Sequence, residues 1–109
     1  MLSNKEVLRN RKRLSEVDKH VAATFKALGD VTRYRIFRIL TEHHKISVST
    51  LAKILDISIP LMSRHIKILE HTHLVHKERD GKRIYCKLKH TGSFAQSVIK
   101  TIGIYKKIK

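Results

Sequence analysis

The sequence predicts a mainly α-helical fold with one small β-hairpin, in the order α-α-(β)-α-α-β-β-α. Three observations lead there. Apolar residues recur at spacings of three and four along several stretches. Residues 47–91 join a short helix, a tight turn, a second helix reading SIPLMSRHIKILE and a basic hairpin centred on Asp80-Gly81. The formal net charge is +15 over 109 residues. That order is what a winged helix-turn-helix requires, with one helix laid in the DNA major groove and a hairpin gripping the backbone beside it.

Each element follows from local chemistry. Leu14, Val17, Val21, Phe25 and Leu28 share one helical face, so a first helix is expected over about residues 5–28. Gly29 should end it, because glycine accepts the left-handed conformation past a helix C-terminus. Asp30 can cap the next helix, with Ile36, Phe37, Ile39 and Leu40 inside and Arg33, Arg35 and Arg38 mostly outside. Lys45-Ile46-Ser47 is short and β-compatible, and Ser47 can cap a helix over about Val48 to Leu55. Asp56-Ile57-Ser58 makes the turn. Ser58 caps the following helix, which tolerates Pro60 in its first turn and runs to about His71. Leu74 to Arg79 and Arg83 to Leu88 read as strands on either side of Asp80-Gly81. A last helix, about residues 93–106, puts Phe94, Val98, Ile102 and Tyr105 on one stripe, with Ile99 and Ile104 elsewhere on it. A single domain over residues 1–109 is expected, since a chain this short supports one core.

Composition narrows the class. Hydrophobic residues make up 41% of the chain, enough for a packed core. Lys and Arg number 24 against 9 Asp and Glu, which draws in polyanions without implying a particular fold. After Asp80 there is no acid, yet Lys82, Arg83, Lys87, Lys89, Lys100, Lys106, Lys107 and Lys109 follow. No apolar run approaches the roughly 20 residues of a membrane span, and the basic start (Arg9, Arg11, Lys12, Arg13) holds no secretory apolar core. No membrane partner and a cytoplasmic location are therefore expected. One cysteine, Cys86, excludes an intramolecular disulfide.

On the helix from Ile59 to His71, Ile66 and Leu69 fall within about 40° of Met62 and form a buried seam with it. Pro60, Arg64, Lys67 and His71 fall opposite, with Ser63 on the flank. The outward face is thus polar and basic near its start, the end that enters the groove in helix-turn-helix proteins. Arg64 can donate two bonds to guanine O6 and N7, Ser63 can bond a base or a phosphate, and Lys67, one turn on, suits phosphate. The hairpin adds Lys77, Arg79, Lys82 and Arg83 around its turn. Either set alone is equally an ordinary solvated surface. Their succession is what points to double-stranded DNA.

FKALGDVTRYRIFRIL, STLAKILDIS, SRHIKILEHTHLV and RDGKRIYCKL, over about residues 22–89, resemble the ArsR/SmtB family of small dimeric winged-helix repressors. The resemblance implies a homodimer joined through the first and last helices and an imperfect palindrome in a promoter. The family's DNA-reading positions fall on Ser58 to Lys67, chiefly Ser63 and Arg64. One departure stands out: the helix starts with Ile59-Pro60-Leu61 where small or amide residues are common. Those apolar groups suit thymine-methyl contacts rather than hydrogen-bond readout, so the target sequence is not inherited, and Ser58, Pro60 and Leu61 join the expected DNA-contact residues. Independently of the resemblance, the apolar terminal stripes call for a partner copy. Leu14, Val17, Val21, Phe94, Val98, Ile102 and Tyr105 are the expected interface, though they would also serve to close the monomer's own core.

Many relatives sense metals. The family's cysteine-bearing site corresponds to SVSTLAK, which has no Cys, and its last-helix site to HTGSFAQSVIKTIGIYKK, where His90 stands alone without a following acid. No metal and no cofactor are expected. His71, His73 and His76 are a remaining ligand candidate, set against a role as polar helix-end residues or phosphate contacts. His43-His44 closes the second helix, where imidazolium suits the dipole, and His65 at the rim of the seam suits a structural hydrogen bond. Cys86 reads as a buried small hydrophobe.

Two functions fit. One is a homodimeric, sequence-specific, repressor-like DNA-binding regulator lacking the family metal sites. The other is a basic protein that coats nucleic acid without reading it. An enzyme is not expected, since no phosphate-cradling loop, paired carboxylates or nucleophile with a matching base appear.

Overall fold

The protein is described by a computed structural model covering residues 1–89, 96–98 and 100–101. Its elements are α1 (Asn4–Arg13), α2 (Glu16–Leu28), α3 (Val31–Glu42), β1 (Ile46–Ser47), α4 (Val48–Leu55), α5 (Ile59–His71), β2 (Val75–Asp80) and β3 (Arg83–Leu88). Residues 96–98 and 100–101 are helical, where a last helix was expected. Phe94, Ile99, Ile102, Ile104, Tyr105 and His90 lie outside the described residues.

The core lies where α3, α4 and α5 meet the sheet. Ile36, Phe37 and Leu40 of α3, Leu51 and Ala52 of α4, and Met62, Ile66 and Leu69 of α5 are buried together with Leu74, Val75, Cys86 and Leu88. Each such aliphatic side chain contributes about 1.5–3 kcal/mol by leaving water. Val98 packs half-buried against this cluster, so it helps close the monomer's own core.

The expected first helix is in fact two. Leu14 (ψ 134°) and Ser15 (ψ 178°) are both extended, and Ser15 starts α2 in a capping box with Asp18. Leu14 is therefore an exposed junction residue rather than part of a helical stripe. Two satisfied backbone donors at the new N-terminus outweigh the apolar periodicity that runs across the break. Gly29 also departs from expectation. It ends α2 with φ −74°, a conformation open to any residue, and its N–H donates back to Phe25 and Lys26 carbonyls. Asp30 then caps α3 as expected, accepting from Arg33 N.

The sheet has three antiparallel strands in the order β1-β3-β2. β1 lies against β3 with Ile46 opposite Cys86 and Ser47 opposite Tyr85. In the hairpin, Asp80 pairs with Arg83, which leaves Gly81-Lys82 as the two-residue loop, one position later than expected. Gly81 has φ +63° and Lys82 does not share it, the pattern of a hairpin turn with glycine first.

Candidate nucleic-acid interface

α4 and α5 are joined by a turn built on Asp56: its N–H donates to the Lys53 carbonyl, and its left-handed φ of 53° turns the chain so that Ile57 N–H donates to the Ala52 carbonyl at 3.0 Å. Aspartate tolerates that conformation better than most residues. The Ser58 hydroxyl then accepts from Leu61 N at 3.2 Å, and Pro60 sits in the first turn where it breaks no helical bond. Met62, Ile66 and Leu69 anchor the inner side of α5. Ser58, Pro60, Leu61, Ser63, Arg64, Lys67 and His71 all face solvent, as the helical phase required.

α5 is held at its flank by a residue from α3. Arg33 Nε donates to the Ala27 carbonyl at 2.8 Å, and its Nη1 lies 3.3 Å from His65 Nδ1. Asp30 Oδ2 accepts from Arg33 N at 3.0 Å and lies 4.0 Å from the same imidazole nitrogen. The Arg33 backbone N–H, helped by the charges of Arg33 and His65, holds the Asp30 carboxyl below its ordinary value against an opposing desolvation effect. Arg33 was expected mostly outside. It is half-buried because its guanidinium satisfies a carbonyl at the end of α2 while bracing the reading helix.

The wing carries Arg79, Lys82 and Arg83 exposed at and beside its loop. Lys77 is different. Its Nζ lies 3.2 Å from Glu70 Oε1, which ties β2 to the end of α5, while the side chain itself remains exposed. Lys87 likewise pairs with Glu78 at 3.0 Å, and that bond holds the Glu78 carboxyl below its ordinary range. Between the start of α5 and the wing is an open cleft of about 220 Å³, bordered by Ser49, Ile59, Ser63, Lys82 and Arg83. It brings Ser63 of the predicted helix residues together with Lys77, Lys82 and Arg83 of the hairpin, whereas Arg64, Lys67 and Arg79 do not line it. Ser49 was not foreseen; its only signal was a position two residues past the Ser47 cap.

His71, His73 and His76 do not converge. His71 is exposed at the end of α5, His73 is in the connection with φ 62° and stacks at 5.5 Å on His20, and His76 is half-buried on β2. Among the described residues, no three or more His, Cys, Asp or Glu side chains are grouped to hold a metal ion. Cys86 is fully buried, and burial pushes its thiol up to about 12, with the nearby Glu70 charge adding to the effect. Among the described residues no helix is long and apolar enough to cross a membrane.

Known proteins share this arrangement. A family described as a helix-turn-helix domain matches residues 28–78. The cadmium resistance transcriptional regulatory protein CadC of Listeria innocua serovar 6a is 31% identical over 81 residues, covering 73% of this chain and 68% of that protein. The arsenical resistance operon repressor of Escherichia coli K12 is 34% identical over 76 residues, 69% of this chain and 65% of the repressor. The homodimeric winged helix-turn-helix DNA-binding domain of Mb0332 from Mycobacterium bovis, a possible ArsR-family regulator, superposes with a TM-score of 0.71 at 19% identity, covering 98% of this chain and 89% of that one. The chain belongs to the ArsR/SmtB family. HlyU from Vibrio cholerae has the same fold, with a TM-score of 0.71 at 19% identity over 82% of this chain and 94% of HlyU. As a member of the ArsR/SmtB family, the protein is a DNA-binding transcriptional regulator, and its helix-turn-helix is α4 and α5.

Proposed function

We propose that the protein is a homodimeric, sequence-specific repressor formed from one domain over residues 1–109, acting in the cytoplasm without a resident metal. The observation that carries this reading is the shared surface where Ser63, on the exposed face at the start of α5, meets Lys82 and Arg83 of the wing across one cleft, with Arg64 next to it on the helix. Arg64 and Ser63 read base edges; Lys67, Arg79, Lys82 and Arg83 grip phosphates; Ser58, Pro60 and Leu61 border the groove contact. Supporting the dimer, Leu14, Val17 and Phe25 are 71%, 66% and 60% exposed, and Val21 beside them is half-buried. Two-fold pairing through this segment and the last helix covers them and sets two reading helices about 34 Å apart. The absence of cysteine from SVSTLAK at the start of α4 supports a regulator that does not use the family's thiolate site.

One feature favours a second reading. Ile59 and Leu61 are both exposed at the start of α5, where polar readout would be expected. A protein that coats DNA by charge and shape needs no such readout. Selection from a random duplex library at about 150 mM salt separates the two. A palindrome with half-sites about one turn apart establishes the repressor. Tight, salt-sensitive binding without enrichment establishes the coating protein. Addition of zinc or cadmium ions should leave the affinity of the selected duplex unchanged; a marked loss would return the protein to the metal sensors.

A further inference from the structure

α1 has no buried residue, and it is set off from α2 by the extended pair Leu14 and Ser15. A helix of 10 residues is marginal in water without packing. Its sequence, NKEVLRNRKR, holds five cations against Glu6 alone, and Glu6 is engaged at the N-cap, where Ser3 Oγ donates to it at 3.2 Å. At about 100° per residue, Lys12, Lys5, Arg9 and Arg13 fall within one arc of about 100°. The stripe from Lys5 to Arg13 runs about 12 Å along the axis. At one phosphate per 3.4 Å of each strand, that length faces about three phosphates.

We propose that α1 is a phosphate-gripping arm that lies on duplex DNA beside the surface formed by α5 and the wing. The proposal rests on the DNA-binding reading and extends it to a separate element. Charge decides the occupant. The same stripe on a second copy of the chain repels it, so α1 is not the part of the N-terminal segment that pairs in a dimer. A lipid surface needs an apolar face, yet Val7 and Leu8 lie about 100° apart on α1 with Arg11 and Asn4 between them. DNA offers a dense row of anions and needs no apolar partner.

The test is the salt dependence of full-length protein on a 40-base-pair random-sequence duplex. Three proteins are compared: wild type, a variant with Lys5→Gln, Arg9→Gln, Lys12→Gln and Arg13→Gln, and Arg83→Ala in the wing. Glutamine keeps helix propensity while removing charge. The arm predicts that the quadruple variant lowers the salt slope by about three per chain and weakens binding about tenfold or more near 150 mM salt. A charge-retaining quadruple swap (Lys5→Arg, Arg9→Lys, Lys12→Arg, Arg13→Lys) should restore the wild-type slope; a swap that binds as poorly as the glutamine variant would show that folding, not charge, was disturbed and would overturn the arm. An unchanged slope in the glutamine variant, with Arg83→Ala still lowering it, overturns the arm and leaves the DNA-binding surface intact. Failure of wild type to bind the duplex removes both. Capture of wild type, but not the glutamine variant, by phosphatidylserine vesicles with an unchanged DNA slope assigns α1 to anionic lipid and also overturns the proposal.

Discussion

Arg33 Nη1 lies 3.3 Å from His65 Nδ1, tying the start of α3 to the flank of the reading helix. Asp30 Oδ2, which accepts from Arg33 N, lies 4.0 Å from the same nitrogen. Three side chains thus fix the roll of α5 about its own axis, and with it the direction in which Ser63 and Arg64 point.

This makes Asp30 both a cap and a charge. Asp30→Ala should cost about 1 kcal/mol through loss of the α3 cap. Because the folded carboxyl is held below its ordinary value of 3.8, the stabilisation is fully present above that value and is lost as pH falls through the lower folded one. Urea unfolding should therefore show Asp30→Asn less stable than wild type near pH 7, with the gap closing as pH falls below the ordinary value of 3.8. A gap that persists in acid would mean the charge is not what Arg33 and His65 respond to.

Glu70 occupies Lys77. If that pair keeps a cation from the DNA, Glu70→Gln should strengthen binding severalfold on every sequence and steepen the salt slope by about one. Lys77→Gln should leave the slope nearly as it was. A drop as large as that from a wing-tip variant would make Lys77 a phosphate contact after all. The folded protein itself should hardly notice either change, since an exposed pair of this kind contributes about 0–1 kcal/mol.

Arg64 and Arg83 should fail in different ways. Arg64→Ala should cost about 1–3 kcal/mol on the selected operator and relax preference at one position per half-site. Arg83→Ala should weaken all duplexes alike and lower the salt slope by about one. Competition binding with operator and scrambled duplexes reads both. A uniform loss from Arg64→Ala would move it from base readout to phosphate.

Cys86, fully buried with its thiol pushed up to about 12, should resist alkylation by iodoacetamide near pH 8. The folded chain should react about a hundredfold slower, or more, than the urea-unfolded one. Native labelling at a comparable rate would show that the sheet opens around it.

The elements that position the site were legible because local chemistry marks their ends. Ser47 and Ser58 cap, Pro60 fits only a first turn, and Met62, Ile66 and Leu69 keep helical phase. The break before α2 was written as Ser15 three residues ahead of Asp18, but the apolar repeat from Leu14 to Val21 passes across it and masks the signal. The Arg33–His65 contact joins residues 32 apart and the Lys77–Glu70 pair joins two elements, so no local pattern announces either. Strand β1 is too short to show a period of two, yet Lys45-Ile46-Ser47 reads as β-compatible, and the ladder with β3 bears that reading out.

That ladder has a mechanical meaning. Ser47 sits opposite Tyr85 in the sheet, and its hydroxyl accepts from Thr50 N at 3.1 Å as the cap of α4. One residue therefore belongs to the base of the wing and to the first turn of the helix pair at once. The wing cannot swing to follow a backbone without loosening α4. The offset between groove contact and backbone contact is thus fixed in the protein, and any mismatch must be taken up by the duplex. Among sites with the same contacted bases, those with pliant pyrimidine–purine steps between the two contacts should bind best.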